Sequence, residues 1–367
     1  MKSGGRWWRK RRVLASALAA VVLVSGGGLW AKDSGLFRDR YCWDAWQQDS
    51  GARFLGDEAL GKSGSERAAV ESGTPGGDGR TATCTLTVTS SVPDDDSTEP
   101  IRFEDRVTLS YGPVPEAPDE RYAWIERYFS GTASALPDDL DGLVAGDRAM
   151  LVLPESCDVK GRPSAVTLWA ESWGDGHLGK RQTPLTIGTL PDVGRMLLGA
   201  AEAGMRKAGC APEEPLRMTS PMTRVAERSD SARNPVCRIP GVTLDLGSTS
   251  RYEQQVGVVD DRLQTCSVVW PRRGGPAEPA AQFVMAATPR TAAVFAGLPE
   301  GEEHGLLRAS CDDRDAVFYG RIDSGVSSSE KADRRVVARF AESAGRRIGC
   351  APTTRNRSGS QSQEAAR

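Results

Sequence analysis

Residues 206–212 read RKAGCAP, and residues 346–352 read RRIGCAP. The dipeptide Ala-Glu precedes both heptapeptides at the same distance, at residues 201–202 and 341–342. A match of this kind between two distant segments indicates an internal repeat. In both copies apolar residues recur upstream at spacings of three and four, basic residues precede the glycine, and a proline follows the cysteine. Each copy therefore predicts the end of an amphipathic helix with its glycine as a left-handed cap.

The cysteines predict disulfides in two matching sets of four. An even number of cysteines favours disulfides if the chain is exported, which the N-terminal residues described below indicate, and the absence of any C-x-x-C pair disfavours a zinc site. Four cysteines in each half allow three pairings, and a repeat favours the same pairing twice. Local pairing is the expectation, because a bridge from a strand to a helix end would hold the helix on its sheet. The expected bridges are Cys42–Cys84, Cys157–Cys210, Cys237–Cys266 and Cys311–Cys350.

Each half begins with a predicted pair of strands. Apolar side chains alternate with others around the second cysteine of each set, at Cys84, Leu86 and Val88 and at Cys266, Val268 and Trp270. A period of two with β-branched residues is typical of a half-buried strand. A polar loop then leads to a second extended run, at residues 101–111 or 282–287. Strands followed by a helix that covers one sheet face predict an α+β fold.

The predicted architecture is therefore two tandem homologous domains, each a sheet with a C-terminal helix, after one N-terminal transmembrane helix. The segment after the first repeat is rich in Glu, Arg, Ser and Pro, and it is interpreted as a linker. The predicted segments are a basic arm at 1–12, a transmembrane helix at 13–30, domain 1 at 37–212, a linker at 213–235, domain 2 at 236–352 and a disordered tail at 353–367.

The N-terminus predicts a membrane anchor. Val13–Trp30 contains 18 residues without a charged side chain and follows six basic residues. A helix of that length covers about 27 Å, close to the roughly 30 Å of the hydrocarbon core. The basic arm stays in the cytoplasm by the positive-inside rule, so the body lies outside the cell membrane as a single-pass protein. A signal peptide cleaved near Ala31 is the alternative. The body is extracytoplasmic in both cases.

Charge argues against a nucleic-acid partner. The basic arm accounts for six of the 47 basic residues, and the remaining 41 stand against 49 acidic ones, a net charge of −8. A general nucleic-acid binder needs a basic face.

The sequence offers little for catalysis. The only histidines, His177 and His304, lie in no hydrolase or zinc-protease motif. Residues 138–141 resemble the start of a calcium loop, but Pro137 and Arg148 would occupy its first and last ligand positions. No spacing selects a carboxylate pair for glycoside hydrolysis. We assign no catalytic residue, no metal and no cofactor, and an enzyme is disfavoured.

One aromatic segment distinguishes the first half. Residues 121–129 read RYAWIERYF, within an interval between cysteines that is 28 residues longer than its counterpart. Trp124 and Tyr128 stand four apart and would share a helix face. Extra core is the favoured interpretation, because aromatic side chains usually bury. The alternative is a contact site for an unknown envelope protein or glycan, made by Trp124, Tyr128 and Phe129.

Residues 42–46, which read CWDAW, and the two Gly-Cys-Ala-Pro helix ends resemble those of membrane-anchored or secreted actinomycete proteins of unknown function. The resemblance implies duplicated two-disulfide domains and carries no catalytic residues. We expect a non-enzymatic binding or scaffolding protein of the cell envelope. The alternative is an envelope hydrolase that uses carboxylates or His177. A sensory ectodomain is disfavoured, because the 12-residue arm is too short for an output domain.

Overall fold

The computed structural model describes residues 39–350, except for 62–63, 78, 94–99, 177–178, 224–229, 248–250, 272–276 and 312–314. On either side of the gap at 177–178, it gives only the backbone of residues 175–176 and 179–182. The basic arm, the span Val13–Trp30, Ala31, His177 and the tail at 353–367 lie outside the described residues. No helix that the structure describes is long and apolar enough to cross a membrane. The described chain is a mixed α/β protein with three sheets.

The first half forms a short hairpin and an eight-stranded antiparallel sheet. The hairpin pairs β1 (Arg40–Tyr41) with β2 (Trp46–Gln47). The strands of the large sheet are β3 (Glu66–Ser72), β4 (Ala82–Val92), β5 (Ile101–Pro113), β6 (Ser134–Ala135), β7 (Gly142–Val144), β8 (Arg148–Val152), β9 (Ser164–Gly176) and β10 (Gly179–Pro184). Their spatial order is β3-β4-β5-β9-β8-β7-β6, and β10 also pairs with β9. The predicted pair of strands is confirmed as β4 and β5.

Two helices belong to this half, α1 (Pro118–Tyr128) between β5 and β6, and α2 (Leu190–Ala208) after β10. Helix α2 begins with a capping box, in which Thr189 and Asp192 each accept the backbone N–H of the other. It ends at Gly209 with φ of 72°, the predicted left-handed cap. Its buried stripe packs on the sheet face that carries Leu86 and Leu109. This helix confirms the first of the two predicted helix ends.

The second half repeats this plan with a six-stranded antiparallel sheet. Its strands are β11 (Asp230–Ser231), β12 (Glu253–Val259), β13 (Leu263–Trp270), β14 (Glu278–Ala286), β15 (Leu306–Ser310) and β16 (Asp315–Ile322). Helix α3 (Pro289–Ala293) lies between β14 and β15, and α4 (Glu330–Arg347) follows β16. On α4, the buried Phe340 packs against Phe283 and Phe318, with ring centroids 5.4 and 6.2 Å away. The second predicted helix is therefore also confirmed.

Five strands have the same order in both sheets, β3-β4-β5-β9-β8 in the first and β12-β13-β14-β16-β15 in the second. Along the chain, a helix separates the third of these five strands from the fourth, and a long helix comes after the fifth. The first half differs by the additional short strands β6, β7 and β10. The aromatic segment at 121–129 has no counterpart in the sequence of the second half. In the structure α1 holds most of it, and the shorter α3 occupies the corresponding place.

All eight cysteines are paired, and the four bridges are the expected ones. Cα–Cα distances across them lie between 4.8 and 6.1 Å, within the range that disulfides allow. One bridge in each half joins the start of the unit to its second strand, at Cys84 or Cys266, and the other reaches the end of its long helix. No bridge crosses between the halves.

A third core nevertheless joins the two sheets. Ile125, Phe129 and Met150 from the first half and Val284 and Tyr319 from the second are all buried in it. The side chains of Met150, Val284 and Tyr319 lie on the sheet faces opposite to α2 and α4. The layers therefore run helix, sheet, sheet, helix, with α1 between the two sheets. The predicted domain boundaries stay predictions, but the halves are not separated in space.

Polar contacts reinforce this junction. Arg290 of α3 pairs with Asp158, with its Nη1 2.9 Å from the carboxylate, and its Nε donates to the carbonyl of Leu153 at 2.8 Å. The buried Arg121 donates from Nη1 to the carbonyls of Val294 and Ala296 at 2.8 and 3.1 Å. Buried or half-buried charges that are hydrogen-bonded in this way fix the relative position of the elements that they join.

Part of the predicted linker also lies against the first half. Leu216, Met218 and Met222 pack beside its core. The exposed Asp138 accepts hydrogen bonds from the side chain and backbone of Ser220 and from the backbone and side chain of Thr219, which lower its pKa to about 2. The described part of this segment is therefore ordered by specific contacts, unlike a free linker.

Because of the shared core, both halves are expected to unfold together. Phe129 is fully buried, and its ring lies 5.7 Å from that of Phe295 and 6.3 Å from that of Trp124. Phe129→Ala should lower the free energy of unfolding by about 3–5 kcal/mol and shift one common transition. Urea unfolding of the full-length protein in detergent, followed by far-UV circular dichroism and tryptophan fluorescence, measures this. Val70→Ala at an exposed site is the control. Two separate transitions, with only one shifted, would contradict the shared core.

Candidate functional site

A cleft of about 1180 Å³ lies between the two sheets, beside their shared core. It arises because the facing surfaces change from apolar to polar along the strands. On β13, Leu263 belongs to the shared core, and Ser267 on the same face lines the cleft. On β9, Ala165 belongs to the core and Trp169 lines the cleft. Polar surfaces do not seal against each other without loss of hydration, so the sheets leave an open space.

Trp169 and Glu171 line the cleft on the side of the first sheet, and Trp173 continues the same row beyond the cleft. They alternate along β9 on the face opposite to α2, and all three are half-buried. The indole N–H groups of Trp169 and Trp173 donate to different oxygens of Glu171, at 3.2 and 2.8 Å. One carboxylate therefore orients both rings.

Guanidinium groups surround these rings. The Cζ of Arg127 lies 4.7 Å and that of Arg148 5.8 Å from the ring centroid of Trp169. Arg106 lies 5.9 Å from that of Trp173. Cations at such distances are attracted to the negative face of the ring, most strongly for tryptophan.

Arg148 is held by its neighbours. Its Nη2 donates to the hydroxyls of Ser130 and Thr132 at 2.9 and 2.8 Å, and its Nη1 lies 3.4 Å from Asp147. Between those hydroxyl residues, Gly131 lies so close to β12 that a Cβ would fall 1.9 Å from the carbonyl oxygen of Gln255. The backbone N–H of Gly131 donates to Ser267 at 3.0 Å. This loop therefore joins both sheets at the inner end of the cleft.

Helix α1 supplies a wall of the cleft, and Gln282 of β14 caps its C-terminus. The Nε2 of Gln282 donates to the carbonyls of Ile125, Glu126 and Phe129 at 3.4, 3.3 and 3.0 Å. The last carbonyls of a helix have no partner within the helix. Gln282 is 2% exposed, so its amide takes the place of water there.

Two ionisable groups near the cleft have shifted pKa values. Burial raises the pKa of Tyr128, although hydrogen bonds with Thr167 and Arg127 act against this shift. Partial burial disfavours the ionised form of Asp192, but hydrogen bonds from Thr189 and the charge of Arg195 outweigh it and lower the pKa of that carboxyl. Tyr128, in the core beside the cleft, is therefore a neutral phenol at neutral pH, and Asp192 at the rim of the cleft stays ionised.

The three residues predicted as a partner contact have different positions. Tyr128 and Phe129 are buried in the shared core, as the favoured interpretation expected, so neither is accessible to a partner in this conformation. Trp124 is half-buried against the same core, with its ring 5.1 Å from that of Tyr128. The cleft is lined instead by Ala123, Glu126 and Arg127 of the same segment.

The calcium-like cluster serves internal contacts. Asp138 holds the segment after α2, and Asp139 and Asp141 pair with Arg262 of the second half. Within the described chain, no group of three or more His, Cys, Asp or Glu residues is arranged to hold a metal ion. His304 lies in a turn at residues 302–304 and does not line the cleft.

Sequence reasoning missed Trp169, Glu171 and Trp173. The alternation itself is visible in residues 168–173, which read LWAESW. It shows that both tryptophans share a strand face, but not that this face is left open by the packing of the two sheets.

Gln282 can be tested as the cap of α1. Gln282→Glu places a carboxylate against three carbonyls, and we expect a loss of about 3 kcal/mol or more in the free energy of unfolding at neutral pH. Burial would raise the pKa of this acid in the folded protein above its unfolded value of about 4.3. The loss of free energy of unfolding should therefore grow as pH rises from the unfolded to the folded pKa. Gln282→Leu is the matched control, with a pH-independent loss of about 1–3 kcal/mol. Urea denaturation between pH 5 and 8 measures both. Equal pH profiles for the two variants would contradict the cap.

Comparisons with known proteins found no family model, no curated protein and no solved structure that matches this chain. The assignment of a function therefore depends on the geometry of the cleft.

Proposed function

We propose that this chain is an extracytoplasmic binding protein of the cell envelope, held at the membrane by Val13–Trp30, and that its ligand site is the cleft between the two sheets. The observation that carries the proposal is the cleft itself, an opening of about 1180 Å³ with two oriented indole rings beside it. Ligand sites are concave, with apolar and aromatic surface and a few fixed polar groups. The volume is large enough for an oligomeric ligand.

The disulfides support the proposed compartment. The chain has no free cysteine, and stable disulfides occur mainly in oxidising surroundings outside the cytoplasm. The acidic body and the basic first 12 residues fit a short cytoplasmic arm followed by an exported body.

We also propose that the two halves are homologous tandem domains. The repeated helix ends, the equivalent pairs of disulfides and the common order of five strands all support one duplicated unit. The shared core then formed between two copies that could each bury one sheet face under a helix.

Binding fits the polar groups of the cleft better than hydrolysis. Glu171 is engaged by two indole N–H groups and Arg148 by two hydroxyls and Asp147, so both are already positioned by neighbours. The carboxyl of Asp192 has a lowered pKa, whereas a general acid needs a raised one. No described residue that lines the cleft is a histidine or a cysteine.

The proposed topology predicts that protease added to intact protoplasts removes the body. Residues 1–30 should remain with the membrane, because the basic arm stays inside. Immunoblotting with an N-terminal tag detects the residual fragment. Protection of the whole chain would reverse the topology, and release of the body before protease treatment would indicate a cleaved signal peptide.

The proposed site predicts that a side chain filling the cleft abolishes binding. Ala123 is exposed on α1 and lines the cleft, so Ala123→Trp should block it at little cost to stability. Ala211→Trp, at an exposed position outside the cleft, is the matched control. Fractionated envelope extract should raise the melting temperature of the full-length protein in detergent, since a ligand that binds only the native state stabilises it. We expect this shift in the wild type and in Ala211→Trp. An equal rise in the melting temperature of Ala123→Trp would exclude the cleft as the binding site.

A further inference from the structure

Two tryptophans on the open face of the first sheet belong to none of the three cores. Trp169 and Trp173 are half-buried, and four residues along a strand separate them by about 13 Å. Glu171 fixes the orientation of both rings through the indole N–H groups. Large aromatic side chains that are oriented but not packed into a core are an informative departure from ordinary burial. The pair forms a row that begins inside the cleft and continues beyond it.

Arg127 is the cation available at this row. Its guanidinium is exposed and lies against Trp169 and beside the hydroxyl of Tyr128. No carboxylate of the described residues lies within ion-pair distance of it, whereas Arg106 pairs with Glu104 and Arg148 with Asp147. An exposed cation–π contact is weaker than a charge-assisted hydrogen bond. A ligand anion can therefore draw Arg127 from the ring and uncover the indole.

We propose that the cleft binds an acidic glycan, a chain of sugars that bears carboxylate or phosphate groups. Sugar rings pack against Trp169 and Trp173, and Arg127 binds the anionic group. This inference rests on the proposed function of the cleft.

The composition of the cleft favours sugars. A sugar ring has an apolar C–H face that packs on an indole plane, and hydroxyls around its edge that need hydrogen-bonding partners. Thr183 and Thr186 present exposed hydroxyls at the rim, and Gln255 and Ser267 lie on the second-sheet wall. Apolar planes and short polar groups are thus available in the same space.

Other polyanions fit less well. The lining contains three arginines and four carboxylates, so a nucleic acid with a charge on every residue would meet repulsion as well as attraction. An extended peptide is commonly bound by adding a strand to a free sheet edge. Strand β9 is paired on both sides and offers no such edge. A glycan needs no edge and can carry isolated charges that match one arginine.

The test uses the full-length protein in detergent and measures dissociation constants by calorimetry. The first pair of probes is tetragalacturonate and its methyl ester, which differ only in charge. The second pair is a mannose pentasaccharide with and without its phosphate, which separates a phosphate source from a carboxylate source. Tetraglutamate tests an acidic peptide. We expect at least one anionic glycan to bind about tenfold or more tightly than its neutral form.

The variants separate the charge from the stacking. Arg127→Gln should remove the preference for the anionic form of the glycan. Trp173→Ala should weaken the binding of the anionic and the neutral form about equally. Arg334→Gln, on the outer helix α4, is the matched control and should change nothing. Melting temperatures of the variants verify that each is folded.

Several results would overturn the inference. Equal binding of charged and neutral glycans would exclude the role of Arg127, and binding of tetraglutamate that survives Trp173→Ala would indicate a peptide site. If no glycan binds, but envelope extract still raises the melting temperature and Ala123→Trp still blocks that rise, the ligand is not a glycan and the cleft remains the binding site. If that shift is itself absent, the proposed function fails.

Discussion

The packing of α1 between the two sheets is the constraint on which the rest of the structure depends. Ile125 and Phe129 fill the space where both sheets are apolar, together with Val284 and Tyr319 from the opposite sheet. These side chains hold the sheets at a distance that their polar ends cannot close, since hydrated surfaces do not pack without partners. The cleft is therefore a consequence of the core beside it.

Packing the C-terminal end of α1 between two sheets also creates a hydrogen-bonding problem, because the last carbonyls of the helix lose contact with water. The side-chain amide of Gln282 replaces the lost water by donating hydrogen bonds to three of these carbonyls. Arg121 faces the other side and joins the helix to the carbonyls of Val294 and Ala296, and its burial lowers the pKa of the guanidinium. The wall of the cleft is thus fixed by buried polar contacts, while Arg127 on the same helix is exposed. A rigid wall that carries an exposed guanidinium is the arrangement expected of a preformed site that selects its ligand by charge.

Local patterns in the sequence predicted the elements well and their assembly poorly. The alternation around Cys84, the helix ending at Gly209 and the four disulfides all follow from residues close together in the chain or from the repeat. The contact between Phe129 and Phe295 joins residues far apart in the sequence, and no periodicity encodes it. For the same reason the segment at 121–129 was recognised as unusual, but its burial between two sheets was not. The sequence does not single out Trp169 and Trp173, because residues 165–170 are largely apolar and are typical of a strand that is buried on both faces. Which of its faces stays open is decided by the other half of the molecule.

Equivalent strand positions of the two sheets form the two sides of the cleft. Aligned on Cys84 and Cys266, the row Thr85, Thr108 and Trp169 in the first sheet corresponds to the row Ser267, Gln282 and Arg321 in the second. Both rows lie on the faces turned away from the outer helices, and Trp169, Ser267 and Gln282 all line the cleft. If the halves are duplicates, the same positions have diverged in use. In the second copy Gln282 and Arg321 hold α1, the latter through Glu126 at 2.7 Å. In the first copy the equivalent Trp169 meets α1 through the exposed guanidinium of Arg127, and its ring lines the cleft. In the proposed function, the free face of one sheet supports the helix and the free face of the other offers a surface to the ligand.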